Sequence, residues 1–291
     1  MRIDMHTHLW PPEETPQVQL DYFSSRGIDV KKAMSAEGLL ETMDGICDAA
    51  LIATLYVGSN LPNSEMVRCH EHVMENMRKY PGKFYALCCV DPFGGEESVE
   101  YIEHYIEKGD FIGLKLHPNI QSFYPNDPKV FPVYAKMEEI GLPVLFHSGG
   151  IGITPFIDDY SSISAIEEVA CRFPDLPIIM GHAGRGRHAE TASVLRKHSN
   201  VYADVSANFC KLKGYEHMSL LELIRTVKLW TGNTDKLMFG SDYPFYTADV
   251  TFNMLMRIAD EEPDPVTRED ILNIINENGW RFLNKYCGGR I

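Results

Sequence analysis

Residues 143–182 read PVLFHSGGIGITPFIDDYSSISAIEEVACRFPDLPIIMGH. Two short β-rich runs, 143–147 and 177–182, each end in a histidine. Between them 162–172 is helix-compatible and stops before Pro174, the expected kind of helix terminator. The pattern is strand, helix, strand, which is one βα unit of a parallel sheet.

The same unit repeats in both directions. Strands are expected over 2–8, 51–57, 84–90, 111–117, 143–147, 177–182, 201–205 and 237–241. Helices are expected over 65–79 before Pro81-Gly82, over 96–108 before Gly109 and over 129–140 before Gly141. Strand starts lie roughly 25 to 35 residues apart, except for a first interval of nearly 50. Residues 9–35 are therefore an insertion after the first strand, rich in proline and aromatics (Trp10, Pro11, Pro12, Pro16, Tyr22, Phe23). Eight βα units in 291 residues fit a (β/α)8 TIM barrel. An open doubly wound sheet would have fewer strands and a glycine fingerprint after the first, where this chain has His-Thr-His-Leu-Trp-Pro-Pro. No composition shift marks a second domain, so 1–291 is read as one barrel, closed at its end by an extra C-terminal helix over 268–286.

Composition excludes several classes. Hydrophobic residues make up 44% and charged residues 23%, which is globular rather than disordered. The net charge of −14, from 27 basic and 41 acidic residues, leaves no basic stripe for nucleic acid. No apolar run reaches the 18 or so residues that span a bilayer. The opening MRIDMHTHLW has a charge at Asp4 and no apolar core, so it does not read as a signal peptide. Seven cysteines without a C-x-x-C suggest reduced thiols and a cytoplasmic protein.

The histidines carry the chemistry. His6 and His8 close strand 1, and His117, His147 and His182 close strands 4, 5 and 6, while Asp242 follows strand 8. In a TIM barrel these strand ends form one ring in space, at the edge where active sites sit. Positions i and i+2 of a strand share a face, so His6 and His8 can grip one ion. The sequence His70-Glu71-His72 has the same spacing in a helical stretch, where the two side chains diverge, and is read as solvated surface. Alone, Asp242 would read as a helix N-cap and each histidine as a hydrogen-bonded loop residue. Their coincidence at one edge points to a metal site. Imidazoles with one carboxylate suit a borderline divalent ion such as zinc, which makes water a nucleophile near neutral pH.

With IDMHTH at strand 1, GLKLHP at strand 4, PVLFHSG at strand 5, IIMGHAG at strand 6 and FGSDYP at strand 8, the whole chain resembles the amidohydrolase superfamily. The likeness is to its amidohydrolase-related branch, which includes aminocarboxymuconate-semialdehyde decarboxylase, other non-oxidative aromatic-acid decarboxylases and lactone hydrolases. The resemblance implies that His6, His8, His147 and Asp242 hold the metal, with Asp242 also able to take a proton, and that His182 is the general acid/base. It implies one divalent ion, zinc or else manganese, iron or cobalt. In two-metal relatives a carboxylated lysine ends strand 4, so a second ion on Lys115 stays open. In the one-metal branch Lys115 would be a cation for substrate, with His117 on the same face. Where the family often has G-H-x-G-G, this chain has GHAGRGRH, which places Arg185, Arg187 and His188 after His182. Arg185 is the better candidate for binding a substrate carboxylate, and Asn208 is a weaker polar one.

Three functions follow. The first is a hydrolase acting with a metal-activated water on an amide, lactone or ester C=O. The second is a non-oxidative decarboxylase of an unsaturated or aromatic acid using the same metal site. The third is a barrel that binds without turnover. The insertion 9–35 is read as a lid whose Trp10, Tyr22 or Phe23 walls a pocket for a small planar or cyclic carboxylic acid. No nucleic acid or membrane partner is expected. Helix-wrapped barrels often pair, so a homo-oligomer stays open.

Overall fold

The computed structural model describes residues 1–11, 17–25, 27, 29, 32, 34–55, 62–152 and 154–291. Pro12, Pro16 and Val57 of the sequence reading, and the side chain of Tyr22, lie outside the described residues.

Eight parallel strands follow one another in the sheet in chain order. They are β1 (Ile3–Thr7), β2 (Ala49–Ala53), β3 (Phe84–Cys89), β4 (Leu114–Leu116), β5 (Val144–His147), β6 (Ile178–Gly181), β7 (Val201–Asp204) and β8 (Leu237–Met238). The circle closes between β8 and β1. Met5 N–H donates to Phe239 O at 2.9 Å, His8 N–H donates to Tyr243 O at 2.7 Å, and Thr7 bridges Tyr243. The strands are buried on both faces, which is why they read as continuous apolar runs. On β5, for example, Phe146 packs outward against Tyr134 at 5.7 Å while His147 turns to the mouth.

Helices wrap the barrel. Asn63–Lys79, Phe131–Ile140, Ile163–Arg172, His188–Lys197, Met218–Thr231 and Ala248–Glu261 are among those that cover it. Ser162 caps Ile163–Arg172 by accepting from Ala165 N–H, so this element starts one residue later than the sequence suggests. The expected helix over 96–108 is α-helical over Glu96–Ile102 and widens into a π turn over Glu103–Glu107. The expected C-terminal helix over 268–286 is two helices, Arg268–Asn276 and Asn278–Cys287. The break has a cause. Asn278 is buried and its side chain donates to Thr234 O at 3.0 Å and Leu237 O at 2.8 Å, fastening the second helix under β8. A Cβ on Gly279 would lie 3.0 Å from Met5, so the helix comes close to β1 only because that side chain is absent.

One expectation fails. His70 is not on a solvated surface but fully buried. It shares a helical face with Met66, Cys69 and Val73, the buried side of Asn63–Lys79. Its Nε2 accepts from Cys89 N–H at 3.1 Å, and its ring meets Tyr105 at 4.6 Å. Burial lowers its pKa to about 4. The unfolded chain therefore binds a proton at His70 that the folded chain refuses, and the resulting stability is complete above about pH 6.5 and lost as pH falls towards 4. His70→Gln keeps an acceptor for Cys89 but cannot titrate. Its urea stability should fall less than the wild type's between these pH values, the two profiles differing by about 3 kcal/mol.

Candidate active site

The ends of β1, β4, β5, β6, β7 and β8 converge on a cavity of about 1340 Å³. His8, His117, His147, His182, Arg185, Asn208 and Asp242 line it, with Phe156, Phe209 and Phe245 among its apolar walls. His6 lies beneath, with no exposed surface.

The hydrogen bonds fix how the rings face. His8 Nδ1 lies 2.7 Å from Ala53 O, which can only accept, so Nδ1 carries the proton and Nε2 is a bare acceptor. His6 Nδ1 lies 2.8 Å from Asp204 Oδ2, which leaves His6 Nε2 as the acceptor as well. Ser206 Oγ donates to Asp204 Oδ1 and lies 2.8 Å from His182 Nδ1, so it accepts from that nitrogen. His182 Nε2 then faces His147 Nδ1 at 3.1 Å. His147 Nε2 is buried with no hydrogen-bond partner, and the His147 ring stacks on His117 at 3.9 Å.

These acceptors surround another acceptor. Asp242 Oδ1 lies 3.3 Å from His8 Nε2 and 4.0 Å from His6 Nε2. Donor atoms of His6, His182 and Asp242 all lie within 4.8 Å of one another. A carboxylate oxygen facing unprotonated imidazole nitrogens is repulsive unless a cation lies between them. Burial, aided by the charge of Lys115, holds His6 and His147 well below the ordinary histidine range. Burial does the same for His182 and His117, helped there by neighbouring histidines. Neutral imidazoles are the form that ligates metals. The donor set thus fits a divalent ion: nitrogens of His6 and His182 with the Asp242 carboxylate, His8 Nε2 next to that carboxylate, and His147 beyond this close group with an unpartnered Nε2.

Other positions named in the sequence fall as follows. Lys115 does not line the cavity. It is fully buried, its Nζ lies 3.2 Å from His6 Nε2, and burial lowers it to about 8 against the pull of Asp204 and Asp242. His117 lines the cavity, and its Nδ1 also accepts from Ile120 N–H at 3.4 Å, capping a short helix, Pro118–Gln121. Trp10 is buried and does not line the cavity either. It stacks behind His8 at 5.2 Å and donates to Leu55 O, with Phe245 beside it at 6.1 Å. Arg185 lines the cavity, whereas Arg187 and His188 do not. Asn208 donates to His182 O at 2.7 Å and to Ser206 O at 3.0 Å, so it also pins the loops.

Sequence reading missed Asp204 and Ser206. Their signal was available, because they stand two apart where strand 7 ends and so share a face. It also missed Gly181 and Gly240, where an added Cβ would come within 2.9 and 3.2 Å of His6, so both clear room for that ring.

A profile of the amidohydrolase family matches residues 3–278. The chain belongs to the amidohydrolase family. Its members are metal-dependent enzymes, and the donor set above agrees with that. Among solved structures, this amidohydrolase resembles an uncharacterised TIM-barrel protein from Bordetella bronchiseptica, with TM-score 0.71 and 19% identity over 98% of this chain and 99% of that one. It also resembles a dihydroxybenzoic acid decarboxylase from a Polaromonas species with bound manganese and the inhibitor 2-nitroresorcinol, with TM-score 0.67 and 15% identity over 97% of each chain. A third is an amidohydrolase from Burkholderia multivorans with bound zinc, with TM-score 0.71 and 13% identity over 97% and 98%. At these identities the likeness is one of fold. Among the described residues of this chain, no helix is long and apolar enough to cross a membrane.

Asp204 orients two of the rings without reaching the cavity itself. Asp204→Asn should leave the circular dichroism spectrum intact and weaken zinc binding by about 10–100-fold in equilibrium dialysis. Unchanged affinity would show that the ring orientation does not depend on this carboxylate.

Proposed function

We propose that the protein is a metal-dependent hydrolase acting on the C=O of a small, flat, carboxylate-bearing amide, lactone or ester. His6, His8, His147 and Asp242 would hold one divalent ion, which we assign as zinc. Such an ion supplies Lewis acidity to a carbonyl oxygen and lowers the pKa of water towards 7.

The observation that carries the reading is the position of Asp242. Its carboxylate lines the cavity 3.3 Å from His8 Nε2 and close to the His6 and His182 nitrogens, where a carboxylate can both hold an ion and accept a proton. Asp242 takes the proton of the attacking water and passes it to the leaving group. His182 Nε2 is aimed by the Ser206–Asp204 chain and serves as a second proton carrier beside His147. Arg185 at the wall binds the substrate carboxylate. Phe156, Phe209 and Phe245 suit a flat apolar body. Residues 9–35 act as the lid over this cavity, a role supported by Asp21 and Ser25 on its lining and by Phe23 packed on Phe245 at 5.4 Å.

One feature favours a second reading. An arginine and aromatic walls around a buried donor set also suit an aryl carboxylic acid losing carbon dioxide, and the similar fold from Polaromonas is a decarboxylase. In that reaction Asp242 or His182 gives a proton to the ring carbon. Turnover in 18O-labelled water separates the two. Hydrolysis places solvent oxygen in the product, and decarboxylation releases carbon dioxide and places only a solvent proton on carbon.

In the hydrolase, Asp242→Ala should lower kcat by about 10²–10⁴-fold. Intact turnover in that variant would end the mechanism. Arg185→Met should raise KM by about 10–100-fold and spare kcat, the loss expected for one charge-assisted bond to substrate. Elemental analysis of the purified protein should find about one ion fewer per chain in His147→Ala than in the wild type.

A further inference from the structure

Away from the cavity, Glu167, Cys171 and His198 form a second group whose possible ligand atoms all lie within 4.8 Å of one another. None of the three lines the cavity. Glu167 and Cys171 stand one turn apart on the helix Ile163–Arg172, and His198 caps the C-terminal end of the helix His188–Lys197. Glu167 Oε1 lies 3.1 Å from His198 Nε2 and 3.4 Å from Cys171 Sγ, and Cys171 Sγ lies 4.0 Å from His198 Nε2.

Two of these separations match one face of a coordination tetrahedron, and the 4.0 Å from Cys171 Sγ to His198 Nε2 is somewhat longer. With metal–nitrogen and metal–oxygen bonds of about 2.0–2.1 Å and a metal–sulfur bond of about 2.3 Å, tetrahedral angles put nitrogen and oxygen about 3.3 Å apart, and sulfur about 3.5 Å from either. Shifts of a few tenths of an ångström suffice. The group already attracts a cation: Lys197 Nζ bonds to Glu167 Oε1 and lies 3.6 Å from Cys171 Sγ. The Lys197 side chain is 59% exposed and can swing away when a metal enters. Cys171 is exposed, which gives an ion a way in and leaves a fourth position for water.

We propose that Glu167, Cys171 and His198 form a second metal site, for zinc or another divalent ion that accepts a thiolate, and that the ion clips Ile163–Arg172 to the end of His188–Lys197. These two helices follow β5 and β6, the strands that lead into His147 and His182. The clip would therefore tie together the outer layer behind two of the cavity's histidines. It is independent of the reaction the cavity performs.

Cobalt(II) as the only added metal tests this on the full chain, kept reduced by a phosphine. The cavity's donor set has no sulfur, so a thiolate-to-cobalt charge-transfer band in the near ultraviolet reports the second site. The band should saturate with one cobalt bound there, persist in Asp242→Ala and vanish in Cys171→Ser. In His198→Gln it should need at least about tenfold more cobalt. Lys197→Ala should need less, because the competing ammonium is gone. Zinc dialysis should find one equivalent fewer in Cys171→Ser than in the wild type. No band in the wild type, a band that survives Cys171→Ser, or equal zinc content in the two proteins would overturn the site.

Discussion

Asp204, at the end of β7, has no exposed surface and accepts from four donors: His6 Nδ1, the backbone N–H groups of His182 and Ser206, and the Ser206 hydroxyl. A carboxylate taken out of water costs several kcal/mol unless its oxygens are bonded in this way. Burial still pushes Asp204 up to about 6 even with these partners. Giving up any one donor would be expensive, so β1, β6 and β7 are held in one mutual arrangement at the mouth. The bond to His6 Nδ1 decides which nitrogen of that ring faces the centre. The bond through Ser206 decides the same for His182.

Once the protons are fixed on the outer nitrogens, the centre has an excess of acceptors. His6, His8 and His182 carry unprotonated Nε2 atoms, those of His6 and His182 facing Lys115 and His147, and Asp242 adds a carboxylate, while His147 Nε2 has no partner. Lys115 beneath His6 is the cation that partly balances this field from below. The barrel mouth therefore holds an excess of acceptors that a divalent ion would balance, while burial and the charge of Lys115 keep His6 and His147 neutral and able to ligate. The placement of the protons on His6 and His182 thus follows from one buried carboxylate and its partners.

Much of this was legible in the sequence. Strand ends marked by histidine, and the H-x-H of His6 and His8, place side chains by the period of two that any strand obeys. The barrel follows from eight such strands at regular spacing. What was not legible depends on neighbours that are remote in sequence. His70 looks like part of a polar run, and only its place beside Met66, Cys69 and Val73 against β3 buries it. Trp10 and Lys115 were expected to face substrate, yet they support His8 and His6 from behind. A sequence shows that a residue stands at a strand end, not which side of the ligand ring it occupies. The split of 268–286 into two helices hangs on Asn278 reaching carbonyls more than forty residues away.

The backbone at the same edge is bent to match. His182, Ala183, Arg185, Ala207 and Asp242 all adopt positive φ, a region that costs an ordinary residue about 1–2 kcal/mol. Glycine would be easier at any of them, but a glycine at 182 or 242 would have no imidazole or carboxylate. At Gly149 no side chain fits: a Cβ there would sit 2.2 Å from Gly184 O, so the loops after β5 and β6 touch backbone to backbone. Four of the five positive-φ residues, His182, Arg185, Ala207 and Asp242, line the cavity, and Ala183 is fully buried. The strained backbone at His182 and Asp242 is the mark of a mouth shaped by its chemistry rather than by its packing.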